Sequence, residues 1–123
     1  MNLVSFTLVF TGVMLNAAAQ LLLKAGVKDL GIIKLEPASL FAAGLKLALE
    51  PHILGGLACY VISVAVWILA LSRVQVSIAY PMLSLGYVVT AFAAWWLMGE
   101  PVSAMRMSGI AVIIVGVYLV ARS

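Results

Sequence analysis

Four long runs of uncharged, mostly apolar residues are the feature that most constrains how this chain can fold. All seven Lys and Arg residues and all four Asp and Glu residues lie outside these runs. A helix needs roughly 20 apolar residues to cross the hydrocarbon core of a bilayer, and lipid forces such a segment to satisfy its own backbone hydrogen bonds. The fourth run reaches this length if Arg106 lies in the first turn and extends its side chain toward the interface. The sequence therefore predicts an all-α membrane protein with four transmembrane helices, at about residues 3–23, 53–72, 74–99 and 102–121.

The composition excludes most classes of soluble protein. Of the 123 residues, 66% are hydrophobic and 9% are charged, whereas a soluble domain carries roughly 25% charged residues. A soluble domain of this size could not bury so much apolar surface. The net charge of +3 is small and scattered, so it gives no reason to expect nucleic-acid binding. We expect residues 1–123 to form a single transmembrane domain.

The segment between the first two predicted spans, residues 24–52, is predicted to carry a short interfacial helix. Between Ser39 and Glu50, apolar residues recur at helical spacing beside the charged Lys46. This pattern is typical of a helix that lies in the plane of the membrane surface. Such a helix is too short to cross a bilayer, and we expect Pro51 to end it.

The other two connections are short. Arg73 alone separates the second and third runs, which predicts a tight helical hairpin. Gly99, Glu100 and Pro101 separate the third and fourth spans. We expect Pro101 to lie in the first turn of the fourth helix and Glu100 to cap that helix by compensating its positive end.

Polar residues inside the spans predict where a substrate would bind, because polar side chains in hydrocarbon are costly and normally face the bundle interior or a wet cavity. In the first span Asn16 and Gln20 share one helix face with Lys24. The predicted cavity residues, taken from the first three spans, are Asn16, Gln20, Tyr60, Ser63, Tyr80 and Ser84. The alternative is that the two amides only make interhelical hydrogen bonds, with Lys24 as an interfacial anchor and Tyr60 packed against lipid.

Pro81 and Gly86 are expected to bend the third span. Pro81 donates no backbone hydrogen bond and leaves the carbonyl of Ser77 without its helical partner, while Gly86 adds a second weak point. Transporters often place their sites at interrupted helices. The alternative is a bend that serves packing alone.

A single set of four spans buries too little to enclose a substrate pathway, and transporters usually pair two repeats around a site at the membrane midplane. We therefore expect a dimer. Gly109 and Gly116 lie seven residues apart on one face of the fourth span, and small residues let membrane helices approach closely. These two glycines are the candidate dimer seam, although glycine is also simply frequent in membrane helices.

The uncharged runs contain no Asp, Glu or His. No buried carboxylate is therefore available to exchange protons with a cation. The sequence also carries no evident nucleophile–base pair, phosphate-binding loop or metal-ligand spacing. We expect a protein that is not an enzyme and that needs no cofactor and no metal.

These features resemble the small multidrug resistance family, which belongs to the drug/metabolite transporter superfamily. The resemblance rests on the four short spans, on Lys24 closing the first span, on residues 78–80 at the start of the third, and on Gly109 and Gly116 in the fourth. It covers nearly the whole chain except residues 27–51, which form a longer segment here. The family implies a dimer, commonly antiparallel, that alternates access across the inner membrane.

Within this family the chain resembles the subunits of the 4-amino-4-deoxy-L-arabinose-phosphoundecaprenol flippase, through residues 20–24, 78–85 and 100–103. That resemblance implies a bacterial inner-membrane protein that moves a polyprenyl-phosphate-linked sugar. The phosphate of such a cargo would need cations near the interface. The resemblance therefore implies phosphate binding by Lys24 at one membrane face, and by Arg73 or Arg106 at the other.

Three positions depart from these relatives. Drug-exporting members carry a membrane-embedded Glu where this chain has Asn16, and Trp where it has Leu83. Without the Glu, proton–cation exchange has lost its central group. The flippase subunits often carry Asn where this chain has Gly86, which leaves the sugar open. Two other functions remain open: an exporter of small cations or drugs, and a non-transporting membrane subunit that docks a glycosyltransferase. The sequence does not decide between homodimer and heterodimer, and it leaves open the membrane orientation and any ion coupling.

Overall fold

The chain is helical through most of its described part. The computed structural model describes residues 2–28 and 30–123, so Met1 and Asp29 lie outside the described residues. The helices are α1 (Leu3–Lys28), α2 (Pro37–Ala48), α3 (Pro51–Leu71), α4 (Val76–Met82), α5 (Ser84–Met98) and α6 (Ala104–Arg122).

Four helical segments are long and apolar enough to cross a membrane: α1, α3, α6 and the segment Val76–Met98, which joins α4 and α5 and is interrupted at Leu83. The shorter α2 lies between the first and second of these segments. The predicted fold class is confirmed: the chain is an all-α, multi-pass membrane protein with four membrane-crossing segments and one short helix.

α1 and α3 form the packed centre of the molecule. A Cβ added to Gly12 would lie 3.3 Å from Cε3 of Trp67, and one added to Gly56 would lie 3.2 Å from the carbonyl oxygen of Ala19. The first contact pairs an early part of α1 with a late part of α3, and the second pairs a later part of α1 with an early part of α3. The two helices are therefore antiparallel. Lipid tails are as apolar as the side chains, so close approach of small residues is a main source of attraction between membrane helices.

The same pairing carries α1 past its predicted end. The helix continues to Lys28, so Lys24 lies within it rather than closing it. Near this end Gly26 packs against the first turn of α3, where an added Cβ would lie 2.5 Å from Cδ1 of Ile53. The contact extends the α1–α3 interface beyond the uncharged run, which is why the run alone gives too short a helix.

A cluster of buried side chains shows which helix ends lie together. Val9, Ala70, Met82 and Val117 belong to one core cluster. They lie near the start of α1, the end of α3, the end of α4 and the end of α6. The start of α1, the connection 72–75 and the end of α6 therefore lie at one membrane face, because consecutive segments cross in opposite directions.

We name the two faces from the basic residues that they carry. The first rim is the face with Arg73 and Arg122. The second rim is the face with Lys24, α2 and Arg106, where α1 ends and α6 begins.

The connection into α6 differs from the prediction. α6 begins at Ala104, and its N-cap is Ser103, whose hydroxyl oxygen accepts a hydrogen bond from the backbone N–H of Arg106 at 3.1 Å. The expectation that Glu100 caps this helix is wrong, and Pro101 lies before the helix rather than in its first turn. A serine hydroxyl directly before a helix satisfies one of its open N–H groups, whereas Glu100 lies three residues before that position.

α2 begins and ends two residues earlier than the sequence predicts. Pro37 lies in its first turn, where the fixed φ and the missing N–H of proline are tolerated. At the other end Glu50 does not belong to α2 but is the N-cap of α3, and its carboxylate accepts the backbone N–H of His52 at 3.0 Å. None of the residues of α2, all of which are described, is buried.

Candidate functional site

Asn16 and Tyr60 lie at the same level of the bundle, near the middle of α1 and α3. Asn16 lies between the two glycine contacts of α1 with α3, and Tyr60 lies between the same two contacts on α3. Asn16 is half-buried and the Tyr60 side chain is 44% exposed. A ligand that approaches the α1–α3 pair from the side can therefore reach an amide and a hydroxyl at mid-membrane depth.

Gln20 extends this polar strip toward the second rim. α1 contacts α3 through Gly12 and contacts α5 through Val13, which lies under Gly86. At 100° per residue, Asn16 and Gln20 fall on the arc of α1 between these two contact directions. Gln20 is exposed, so the strip opens as it approaches Lys24.

Ser63 has a different environment from the other predicted cavity residues. Its side chain is 5% exposed, and its hydroxyl donates a hydrogen bond of 2.9 Å to the carbonyl oxygen of Gly12. The hydroxyl thus links α3 to α1 in this conformation. Ser63 therefore stabilises the packing of α3 against α1 near Asn16, and its hydroxyl does not lie on the surface that a ligand would contact.

The hydroxyl groups of the third span face another direction. Tyr80 lies two residues before the buried Met82 in α4, and Ser84 lies two residues before the buried Gly86 in α5. Two residues correspond to 200° of helical rotation, so neither side chain shares the direction of the buried residue that follows it. Tyr80 is 66% exposed and Ser84 is half-buried. Within one chain the structure therefore does not bring these two hydroxyls together with Asn16 and Gln20.

The interruption of the third span falls at Leu83, between the two residues that were expected to bend it. Pro81 lies in the last turn of α4. Gly86 lies in the first turn of α5 and is buried, with an added Cβ placed 3.1 Å from Cγ1 and 3.3 Å from the carbonyl oxygen of Val13. The absence of a side chain at Gly86 thus allows α5 to approach α1 closely.

The basic residues expected to bind phosphate are all exposed but are not shared evenly between the rims. Lys24 and Arg106 lie at the second rim, and Arg106 Nη1 donates to the carbonyl oxygen of Pro101 at 2.9 Å. Arg73 lies at the first rim, in the short connection after α3. Arg106 therefore shares the rim of Lys24, and Arg73 is the member of this set that serves the opposite face.

The face of α6 that carries Gly109 and Gly116 is open. A Cβ added to either glycine would meet no atom within 4 Å among the described residues. The one buried residue of this helix is Val117, and α6 makes its main contacts with the third span. These glycines are available to a second molecule or to lipid.

Two grooves appear that the sequence patterns did not indicate. One, of about 410 Å³, lies between α5 and the start of α6 and is lined by apolar side chains that include Phe92 and Trp95. The other, also of about 410 Å³, lies at the second rim between residues 30–34 and α2, and Lys34 and Lys46 line it. Neither could be found from periodicity, because each depends on how two segments of the chain pack against each other.

The chain matches the EamA-like transporter family over residues 2–122. It is 35% identical over 122 residues to a probable 4-amino-4-deoxy-L-arabinose-phosphoundecaprenol flippase subunit ArnF of Shewanella sediminis, an alignment that covers 92% of this chain and 84% of that protein. No solved structure gives a significant match.

Shorter alignments relate the chain to two probable 4-amino-4-deoxy-L-arabinose-phosphoundecaprenol flippase subunits ArnE. It is 41% identical over 66 residues to the protein of Pseudomonas syringae pv. syringae, covering 54% of this chain and 61% of that protein. It is 44% identical over 71 residues to the protein of Sodalis glossinidius, covering 58% and 59%. These two alignments each span less than two thirds of the relative.

Proposed function

This chain belongs to the EamA-like transporter family, and we propose that it is one subunit of a dimeric flippase in the bacterial inner membrane. Its cargo is a polyprenyl-phosphate-linked sugar, such as aminoarabinose-phosphoundecaprenol. The names of the relatives, which are flippase subunits, support this cargo class. The dimer consists of this chain with a second four-helix subunit, either a copy of itself or a similar chain.

One observation carries the proposal: the middle of the bundle is polar but contains no carboxylate. Asn16 and Gln20 form a strip of amides beside Tyr60, and no Asp or Glu lies within the four described membrane-crossing segments. Amides and hydroxyls bind sugar hydroxyls without requiring a charged partner. A proton-coupled exporter of cations instead needs a titratable group at this depth.

The arrangement of the rims fits an amphiphile that is turned over rather than released into water. Lys24 lies four residues beyond Gln20 on the same face of α1, so a phosphate held at the second rim would leave the sugar against the amide strip. Arg73 offers a cation for the phosphate at the first rim. The polyprenyl tail stays in lipid throughout, so only the headgroup needs a polar path.

A second subunit explains why the predicted cavity residues divide into two surfaces in one chain. Tyr80 and Ser84 point away from Asn16 and Gln20, and a pathway that uses all four needs two chains to face each other. The open glycine face of α6 is the surface that we assign to that association. In this arrangement Gly109 and Gly116 of one subunit approach the partner helix.

The test is translocation of a polyprenyl-phosphate sugar by the purified protein in liposomes, with Lys24→Met compared with Lys28→Met. Both lysines are exposed and lie on the same face of α1, and only Lys24 adjoins the amide strip. We expect Lys24→Met to abolish translocation and Lys28→Met to leave it within about twofold. Equal transport by both variants and by the unaltered protein would refute the phosphate role.

The same liposomes separate the other two functions. Transport of a guanidinium-type cation with release of protons, in place of the lipid-linked sugar, would identify a cation exporter. Absence of any flipping, together with co-purification of a glycosyltransferase, would identify a docking subunit. Movement of the lipid-linked sugar alone is the outcome that the proposal requires.

A further inference from the structure

The groove between residues 30–34 and α2 is lined by two lysines and lies outside the proposed transport pathway. It has a volume of about 410 Å³, and Lys34 approaches it from the connection while Lys46 approaches it from α2. Among the described residues no acidic side chain lines it. A neighbouring pocket of about 300 Å³ shares Leu30 and Lys46 with it, so the two form one continuous surface at the second rim.

α2 separates its polar and apolar residues onto opposite faces. The residues of α2 that line the groove follow the spacing of one helix face: Ser39, Ala42, Ala43 and Lys46. The opposite face carries Phe41 and Leu45, whose side chains are 70% and 57% exposed. A helix built in this way lies in the membrane interface with its apolar face in the acyl region and its basic residues at the level of the headgroups.

The acidic residue at this end of α2 is already engaged. Glu50 lines the neighbouring pocket together with Lys46. However, its Oε1 lies 2.7 Å from Nδ1 of His52, and it also accepts the backbone N–H of His52 at 3.0 Å. The hydrogen bonds of Glu50 are therefore directed toward the start of α3 rather than toward the groove, and among the described residues neither Lys34 nor Lys46 forms a salt bridge.

We propose that this groove binds the phosphate headgroup of an anionic bilayer lipid, held by Lys34 and Lys46 while the acyl chains lie against the apolar face of α2. The ammonium groups supply the charge that a phosphate diester needs, and the hydroxyl of Ser39 lies on the same face of α2 to donate a hydrogen bond. The exposed Phe41 and Leu45 supply the apolar surface that a free phosphate ion would not use. The lipid would thereby fix α2 against the second rim.

The experiment measures binding of spin-labelled phosphatidylglycerol to the full chain in nanodiscs of phosphatidylcholine, for the unaltered protein and for Lys34→Gln, Lys46→Gln and the double variant. A basic residue near an anionic surface contributes about fivefold in affinity, so we expect roughly fivefold weaker binding for each single variant and about thirtyfold for the double. Lys28→Gln is the matched control, since Lys28 is exposed at the same rim but does not line the groove, and should change binding less than twofold.

Two further arms decide between a site and a general charge effect, and between a lipid and a free ion. If Lys28→Gln weakens binding as much as the double variant, or if the double variant binds normally while its circular dichroism is unchanged, the proposal is refuted. Millimolar inorganic phosphate should leave the lipid bound, and Phe41→Ser should weaken lipid binding. Displacement by inorganic phosphate, with Phe41→Ser without effect, would show a simple anion site and overturn the lipid assignment.

Discussion

The α1–α3 pair and α6 use small residues in opposite ways. In the pair, glycines lie within van der Waals distance of the facing helix, and a buried serine bonds across the interface. On α6, Gly109 and Gly116 face open space, and Val117 is the one buried side chain. The comparison indicates that the first interface is complete within one chain, whereas the second surface is left uncovered by the chain and is available to a second subunit or to lipid.

The largest effect is expected from adding volume to the complete interface. Gly56→Val would force side-chain atoms toward the carbonyl oxygen of Ala19, 3.2 Å from the Cβ position, and a backbone atom cannot move aside. We expect a loss of about 1–3 kcal/mol in the free energy of unfolding, typical of overpacking, measured by reversible denaturation in mixed micelles. Gly116→Val, at an open position, should leave the monomer stability within about 0.5 kcal/mol. Equal losses at both positions would remove the distinction between the two regions.

The next effect concerns the open surface. If α6 forms the contact between subunits, Gly109→Leu together with Gly116→Leu should weaken self-association about tenfold, because bulky side chains keep the helices apart. Energy transfer between labelled subunits in liposomes measures this change. Gly44→Leu is the matched control, since its Cβ position also has no atom within 4 Å but lies on α2. An unchanged transfer efficiency in the α6 variant would show that this face does not hold two copies of the chain together.

The sequence predicts the fold of this chain better than it predicts the candidate site. The uncharged runs predict the four crossings, because the cost of charge in hydrocarbon acts on sequence alone. They miss the last turn of α1, which depends on the contact of Gly26 with Ile53, a tertiary feature. They also favour Glu100 as the cap of α6, because a charged residue near the expected start of a helix is easily recognised. The exact first residue of the helix, which makes Ser103 the cap, cannot be recognised from the uncharged runs.

The site was less predictable for a related reason. Helical spacing groups Asn16 with Gln20, because both lie in α1 and residues four apart share a face. It does not say which face of the third span meets α1. That depends on Gly86, whose missing side chain turns its own face toward Val13 and so directs Ser84 outward. Periodicity within a helix is therefore informative, and relations between helices require the packing.

A smaller effect separates the hydroxyls of the two regions. Ser63→Ala removes the hydrogen bond to the Gly12 carbonyl across the α1–α3 interface, and hydrogen bonds between membrane helices contribute about 0.6 kcal/mol on average. Ser108→Ala on α6 removes a bond to the carbonyl of Ala104 in its own helix. We expect a measurable loss of unfolding free energy for the first variant and a negligible one for the second. A larger loss for Ser108→Ala would mean that the bond within α6 contributes more to stability than the bond between α1 and α3.

The smallest effect distinguishes how α3 and α6 begin. Hydrogen bonds from the backbone N–H and the ring of His52 hold the pKa of Glu50 below its ordinary value of 4.5. A carboxyl with a lowered pKa stabilises the folded state above that value, and this contribution is lost as the pH falls through the folded pKa. The unfolding midpoint should therefore fall more steeply below pH 4.5 for the unaltered protein than for Glu50→Gln. Ser103→Ala, at the hydroxyl cap of α6, should lower stability equally at every pH, because a hydroxyl does not titrate in this range. Parallel pH profiles for the unaltered protein and for Glu50→Gln would show that the carboxylate of Glu50 does not stabilise the start of α3.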